Sequence, residues 1–202
     1  NEKYIYKIKA ADEIVQIKAR NTNIYNILSS LAVLKILNLD IKKILNSLEL
    51  TKPLDGRGKI FKINRYNTSF QLIDESYNAN PLSVKNAIVN LSKIKKRNFK
   101  KYILLGDMLE LGNKSDFYHR KLSKIINNTD IDKVFVYGNN VLNTFKHTKK
   151  NKKGNILQHL NDFDKVFSKI IKKNDYLMIK GSNATGLNGL SRNLTKGGVS
   201  AF

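Results

Sequence analysis

Residues 69–83 read S-F-Q-L-I-D-E-S-Y-N-A-N-P-L-S and change from a strand pattern to a helix pattern within a few positions. The run S-F-Q-L-I is short and largely apolar, as in a buried strand. Apolar residues then recur at the i, i+3, i+4 and i+7 spacing of an amphipathic helix, at Val84, Ala87, Ile88 and Leu91. The polar segment 74–81 is therefore a turn at the carboxyl end of a strand, where open α/β folds place their ligands.

The same alternation of strand and helix patterns continues downstream. Short apolar runs predict strands at 69–73, 101–105, 133–137 and 176–179. The segments between and after them predict helices near 83–97, 115–127, 139–146, 163–173 and 185–195. Short strands that alternate with helices are typical of parallel sheets covered on both faces. We therefore predict an α/β fold with a doubly wound, mostly parallel sheet.

A separate segment precedes this α/β pattern. Residues 23–37 carry apolar residues in helical register, with Asn23 as a candidate cap, and a second short helix is predicted at 41–48. The run T-K-P-L-D-G-R-G at 51–58 holds one proline and two glycines in eight residues and is the strongest break in the chain. We place a domain boundary there, between residues 1–50 and 51–202.

Composition excludes several classes of protein. The 202 residues contain no cysteine, which excludes disulfides and thiolate metal sites and suits a cytoplasmic protein. No apolar run approaches about twenty residues, and the chain does not open on a charged and then apolar leader, so neither a membrane span nor a secretory signal is predicted.

The formal net charge of +21 raises nucleic acid as a partner. The lysines, however, are spread along the whole chain, and the two densest clusters, at 93–101 and 146–153, carry no known motif for nucleic-acid recognition. We interpret both clusters as solvated surface, so nucleic acid is the less favoured partner.

Four predicted strands end in turns that are rich in polar residues or glycine, at 74–81, 106–112, 137–140 and 180–186. In a parallel sheet all four turns lie at the same edge. Glycine lets the backbone approach a ligand closely, and exposed amides near a helix start favour anions. Their predicted convergence is the main indication of a binding site.

Several side chains in and before the first of these turns suit a polar ligand. Arg57, between two glycines, would have a flexible mount from which to reach phosphate oxygens, or it is a surface arginine in a linker. Asp74 would accept hydrogen bonds from a ribose, or it caps the turn. Tyr77, Asn78 and Asn80 offer uncharged donors and acceptors, although asparagine is also common in ordinary turns.

The later turns hold charged candidates. Asp107 and Glu110 would bind an ammonium group or a metal, but with three histidines and no ligand spacing a metal is weakly supported. Lys180 and Ser182 would hold a carboxylate, or Lys180 is a salt-bridge partner.

Two further residues are given structural roles. His119, in a predicted helix, is interpreted as a surface or packing histidine, and Glu75 as no more than a partner for a lysine.

Four motifs follow one another along the chain: D-G-R-G at 55–58, I-D-E-S-Y-N-A-N-P at 73–81, L-G-D-M-L-E-L-G at 105–112 and K-G-S-N at 180–183. Together they resemble the Mur ligases, from about Asn23 to Leu194. The Y-N-A-N-P and G-D-M-x-E-L-G signatures resemble most closely those members that join D-alanyl-D-alanine to UDP-N-acetylmuramoyl-tripeptide in peptidoglycan biosynthesis.

This resemblance implies a three-domain enzyme with an N-terminal UDP-sugar domain, a central ATPase domain and a C-terminal Rossmann-like domain. It implies that ATP, with Mg²⁺, phosphorylates the substrate carboxylate and that the amine of the dipeptide then attacks the acyl phosphate. Residues 1–50 correspond to the end of the central domain and residues 51–202 to the C-terminal domain. We expect a cytoplasmic monomer without a membrane partner.

The resemblance also implies a role for individual residues. Asn26 matches an asparagine near the adenine, Arg57 a linker arginine that reaches the ATP phosphates, and Asp74 an aspartate associated with the ribose. The other matches concern the peptide substrate: Tyr77, Asn78 and Asn80 line the cleft, and Asp107, Lys180 and Ser182 lie in loops that face the dipeptide.

The 202 residues also depart from the family pattern. They contain no G-x-x-x-x-G-K-[ST] phosphate loop, and the family's magnesium-binding Glu and His and its carbamylated lysine are expected upstream of Asn1. Residues 20–22 read R-N-T where the family has Gly-x-His, and Asn183 stands where many members have Arg. We therefore expect a C-terminal fragment of a longer ligase that is inactive alone. A free-standing α/β ligand-binding module and a basic nucleic-acid-binding domain are the alternatives.

Overall fold

The computed structural model describes residues 4–10, 13–19, 24–43, 45, 54–95, 98–196 and 199–200. The chain divides into two compact units, Asn1–Leu54 and Asp55–Phe202. The division falls inside the Pro- and Gly-containing break at 51–58.

The first unit is a hairpin covered by a helix. Strand β1 (Tyr4–Ala10) pairs antiparallel with β2 (Glu13–Ala19), and helix α1 spans Ile24–Ile36. One core joins the three elements, with Ile8, Val15, Ile17, Ile27, Leu31 and Ile41 buried. The hairpin was not predicted from the sequence, because the exposed apolar residues Ile5 and Ile14 obscure the alternation of apolar and polar residues.

The predicted short helix at 41–48 is only partly described. Residues 41–43 and 45 are helical, and the remaining positions lie outside the described residues. Asn23, the candidate cap of α1, and the R-N-T segment at 20–22 also lie outside them.

The second unit is built on a sheet of seven strands in the described part of the chain. They are β3 (Lys59–Arg65), β4 (Thr68–Asp74), β5 (Lys101–Gly106), β6 (Lys133–Tyr137), β7 (Lys153–Ile156), β8 (Tyr176–Lys180) and β9 (Val199–Ser200), in the spatial order β7-β6-β5-β8-β4-β3-β9. The first five strands of this order, β7, β6, β5, β8 and β4, are mutually parallel. Strand β3 is antiparallel to both of its neighbours, β4 and β9. The four predicted strands are confirmed, whereas β3, β7 and β9 were missed.

Five α-helices in the described residues cover the two faces of this sheet. They are α2 (Pro81–Lys93), α3 (Ser115–Asn127), α4 (Leu142–His147), α5 (Asp162–Ile170) and α6 (Leu187–Thr195). One buried cluster joins α2, α3 and the start of α4 to Ile103, Leu105 and Met178, and a second joins α5 and α6 to Tyr102, Leu104 and Leu177. Successive strand residues thus enter opposite cores, which confirms the doubly wound α/β fold.

The order of the strands creates a crevice at the carboxyl edge. Neighbouring strands β5 and β8 are followed by α3 and α6, which belong to opposite faces. Connections that leave adjacent parallel strands in opposite directions open a crevice, and open α/β sheets bind ligands there.

Lys101, in the basic cluster at 93–101, was expected to be solvated, and this prediction is wrong for that residue. Lys101 is fully buried at the start of β5, and its Nζ donates to Ser92 O at 2.9 Å and to Asp130 Oδ2 at 2.7 Å. Its apolar stem is buried while the ammonium group donates to these two oxygen atoms. The basic cluster at 93–101 therefore includes one buried lysine that pairs with a partly exposed aspartate.

Two glycines let the ends of β5 and β8 lie close together. A Cβ atom added to Gly181 would lie 2.9 Å from Leu187 Cδ1, 3.0 Å from Thr185 Oγ1 and 3.1 Å from Gly106 Cα. The last contact is to backbone, which cannot rotate away. Glycine at 181 thus allows the segment after β8 to fold back over the sheet edge.

We predict that Gly181→Ala lowers the free energy of unfolding by about 1–3 kcal/mol, because the added methyl group overpacks this junction. The matched control is Gly189→Ala in α6, where an added Cβ meets nothing within 4 Å. Because alanine favours a helix interior, the control should raise the free energy of unfolding by about 0.5–1 kcal/mol. Urea unfolding of both variants measures the difference; equal effects would contradict the close-approach argument.

Candidate functional site at the carboxyl edge of the sheet

A cavity of about 350 Å³ opens at the carboxyl edge of the second unit. It is lined by residues that follow three neighbouring strands: Tyr77 and Asn78 after β4, Leu109 and Glu110 after β5, and Ser182, Asn183 and Ala184 after β8. We call these segments the β4 turn (74–80), the β5 turn (106–112) and the β8 turn (180–186), and the segment 138–141 the β6 turn. The prediction that the four turns lie at one edge of a parallel sheet is confirmed, and three of the four line the cavity.

Asp74 is buried and binds its own turn and the segment before β3. Its Oδ2 accepts from Gly56 N at 3.0 Å, and its Oδ1 accepts from the amide and hydroxyl of Ser76 at 3.2 and 2.6 Å. Gly58 N also donates to Asp74 O at 2.7 Å. The turn-capping role weighed for Asp74 is therefore present, while a contact with ribose stays a prediction.

Arg57 does not sit on a flexible mount, contrary to expectation. Gly56 has a positive φ of 73°, its amide is held by Asp74 and its carbonyl accepts from Tyr77 N at 3.1 Å. The guanidinium carbon of Arg57 lies 4.3 Å from the centroid of the Tyr77 ring, within range of a cation–π contact. The exposed Arg57 side chain is thus supported against the cavity wall.

Lys180 is a buried cross-link rather than an open anion site. Its Nζ donates to Asn78 O at 3.0 Å and to Glu75 O and Oε2 at 3.4 and 3.3 Å, and the residue is 2 % exposed. Burial lowers the pKa of the Lys180 ammonium, the Glu75 carboxylate opposes that shift, and the nearby Arg57 charge adds to it. The lysine partner anticipated for Glu75 is confirmed.

Ser182 joins the β8 turn to the β4 and β5 turns. Its Oγ accepts from Leu109 N at 2.9 Å and donates to Ala79 O at 3.4 Å. Its amide donates to Asp107 O at 2.9 Å. Three turns are therefore held together through one residue that also lines the cavity.

Asp107 extends the network to the β6 turn and does not line the cavity. Its carboxylate accepts from Asn139 N at 3.2 Å and from Val141 N at 2.8 Å, just before α4. A Cβ atom added to Gly138 would lie 2.6 Å from this carboxylate. The predicted contact between Asp107 and a dipeptide has no support in these distances and remains a prediction.

The structure gives local roles to two further predicted site residues, one in each unit. Asn80 is the N-cap of α2: its side chain accepts from Ser83 N at 2.8 Å, and Ser83 Oγ accepts from Asn80 N. Asn26 is exposed in α1 of the first unit, where its carbonyl accepts from Ser30 Oγ. Their predicted ligand contacts stay predictions.

Sequence reasoning gave no site role to three residues that line the cavity, Leu109, Asn183 and Ala184. Each lies in the same turn as a residue that was singled out, so proximity within a turn was the only available signal. Glu110, which was named as a possible ammonium or metal ligand, lines the cavity with a positive φ of 63°, an uncommon conformation for a residue with a side chain. Within the described residues, no group of three or more His, Asp or Glu side chains is arranged to hold a metal ion.

Known proteins resemble this chain over most of its length. Residues 60–183 match the family model described as Mur ligase, glutamate ligase domain. The chain is 28 % identical over 167 residues to the UDP-N-acetylmuramoyl-tripeptide–D-alanyl-D-alanine ligase of Bacillus subtilis, a match that covers 80 % of this chain and 34 % of that protein. It is 31 % identical over 182 residues to the ligase of the same name from Buchnera aphidicola subsp. Acyrthosiphon pisum, covering 86 % of this chain and 37 % of the relative.

Solved structures share the fold. The MurF ligase of Thermotoga maritima, crystallised in complex with ADP, superposes with a TM-score of 0.74 at 23 % identity, covering 95 % of this chain and 43 % of that one. The chain therefore spans little more than a third of the length of the curated relatives it matches. Because the family model matches more than half of its residues, the chain belongs to the Mur ligase family.

Proposed function

We propose that this chain is the C-terminal part of an ATP-dependent ligase that joins D-alanyl-D-alanine to UDP-N-acetylmuramoyl-tripeptide in peptidoglycan biosynthesis. The observation that carries the proposal is the meeting of three motif-bearing turns, after β4, β5 and β8, around one cavity. The named relatives support the choice of substrates. On this proposal residues 1–50 end the ATPase domain and residues 51–202 form the C-terminal domain of a cytoplasmic monomer.

The cavity suits a small zwitterionic peptide. The Glu110 carboxylate offers a partner for an ammonium group, while Tyr77, Asn78 and Asn183 offer uncharged donors and acceptors. Because the Lys180 ammonium already serves Glu75 and Asn78, a peptide carboxylate would pair with the exposed Arg57 instead. The dipeptide amine would thereby be held in a fixed orientation, which is a large part of what a ligase must supply.

ATP provides the energy for amide formation, and among the described residues Arg57 is the one best suited to meet its phosphate oxygens. A guanidinium group binds phosphate in a planar, two-pronged geometry, and the stack on Tyr77 holds it in place before the ligand arrives. The same guanidinium would lie between the two charged ligands. The described residues do not fit a Mg²⁺ site, so we derive no step through the metal and assign its ligands to the part of the ligase upstream of this chain.

No helix in the part of the chain that the structure describes is long and apolar enough to cross a bilayer.

We predict that the 202 residues alone release no phosphate from ATP. Phosphoryl transfer depends on positioning and charge neutralisation by a phosphate loop, and these residues contain none. A phosphate-release assay with tripeptide substrate and D-alanyl-D-alanine tests this, with the full-length ligase as the positive control. Substrate-dependent phosphate release by the 202 residues alone would contradict the proposal that the groups for phosphoryl transfer lie outside them. A full-length protein that is inactive with this substrate pair would contradict the proposed function.

We predict that Arg57→Ala in the full-length ligase lowers kcat about a hundredfold, which is the usual cost of removing one charge-assisted contact to a reacting group. Arg65→Ala is the matched control, because Arg65 lies at the opposite end of β3 and pairs with Asp164 on the surface. The control should retain wild-type turnover within about twofold. Initial rates at saturating ATP and dipeptide measure the turnover of both variants. Wild-type turnover of Arg57→Ala would show that Arg57 is a surface arginine without a role in catalysis.

A further inference from the structure

We propose that His119 is a positioning residue that sets the shape of the β5 turn and thereby the wall of the cavity. His119 lies in α3 and is completely buried, so it does not touch a ligand itself. Its effect on catalysis rests on the proposed function, whereas its effect on the turn does not.

The ring of His119 bridges the helix and the turn. Its Nε2 lies 3.0 Å from Met108 N, and its Nδ1 lies 2.9 Å from Ser115 O, one helical turn back. A backbone N–H only donates and a carbonyl oxygen only accepts. The imidazole is therefore neutral with its proton on Nδ1, and Nε2 is the acceptor for the Met108 amide.

This acceptor has no obvious substitute in the turn. Met108 is 1 % exposed, so its N–H would otherwise be buried without a partner. The next amide, Leu109 N, donates to Ser182 Oγ. Two consecutive amides of the β5 turn are thus oriented by side chains from two different elements.

The orientation of these amides determines which side chains reach the cavity. Leu109 and Glu110 follow directly and line it, and Glu110 adopts its left-handed conformation there. Such a conformation persists in a residue with a side chain only when the surroundings hold the backbone in place. The His119 ring supplies one of those restraints.

The backbone of His119 is anchored independently of its ring. His119 O accepts from Thr144 Oγ1 at 2.7 Å, which ties α3 to α4. A change of the ring therefore alters the restraint on the turn while this attachment of the helix remains.

Two substitutions separate the two ring contacts. In His119→Gln the side-chain amide reaches about as far as Nε2, so its oxygen can accept from Met108 N while the contact with Ser115 is lost. In His119→Asn the shorter amide reaches about as far as Nδ1, so the contact with Ser115 can remain while Met108 N loses its acceptor. A merely packing histidine would not distinguish the two variants in this order.

The first test uses the 202-residue chain and needs no enzyme activity. Nitrogen-15 NMR of the wild type should show a neutral His119 protonated at Nδ1, with a hydrogen bond from Met108 N to Nε2. Amide exchange at Met108 should be slow in the wild type and in His119→Gln, and at least about tenfold faster in His119→Asn. An Nε2-protonated ring, or rapid Met108 exchange in the wild type, would overturn the proposal even if neither variant folds.

The second test uses the full-length ligase. His119→Asn should raise the KM for D-alanyl-D-alanine about tenfold and leave the KM for ATP within about twofold of wild type. His119→Gln should keep the KM for D-alanyl-D-alanine close to the wild-type value. Equal impairment by both variants, or equal changes in both KM values, would overturn the positioning role. If the wild-type ligase is inactive with these substrates, the proposed function fails while the NMR result still decides the role of His119 in the turn.

Discussion

The geometry of the candidate site depends on the two hydrogen bonds of the Ser182 hydroxyl group. This hydroxyl group accepts from the β5 turn at Leu109 and donates to the β4 turn at Ala79. Turns at a sheet edge expose backbone groups that strand pairing leaves unpaired, and buried groups of this kind must find partners within the protein. Because Ser182 meets this requirement for two turns while its own amide binds Asp107 O, the three turns act as one structure.

The charged residues of the motifs divide into two groups. Asp74, Asp107 and Lys180 are at most 8 % exposed, and their side chains bind backbone groups or other side chains of the protein. Arg57 and Glu110, in contrast, are exposed beside the cavity or in its lining. Buried charges that are fully paired stiffen a site, whereas exposed ones can exchange water for a ligand. The family motifs thus encode the support of the cavity as much as its contacts.

Some of the many lysines are also paired within the protein, at the opposite edge of the sheet. Lys101 is buried against Ser92 and Asp130. Lys152 donates to Ile126 O in the last turn of α3 and to Ile131 O in the segment between α3 and β6. Positive charge near a helix C-terminus is favourable because the exposed carbonyl groups carry partial negative charge. Part of the net charge therefore stabilises the fold and is not available to an external anion.

The sequence by itself determined the architecture of the second unit and the edge at which its site lies. Apolar runs and helical periodicity located four parallel strands and their helices, because these patterns record burial on each face. Strands β7 and β9 were not predicted because they have only four and two residues. The hairpin of the first unit and β3 form antiparallel pairs, which lie outside the strand–helix alternation on which the prediction was based. Only the tertiary structure decided the roles of individual residues: that Asp74 fixes Gly56 while Arg57 stacks on Tyr77, that Lys180 is a cross-link, and that His119 binds Met108. These contacts join positions far apart in the chain or depend on how a helix packs beside a turn, and a local pattern cannot specify a distance between such atoms.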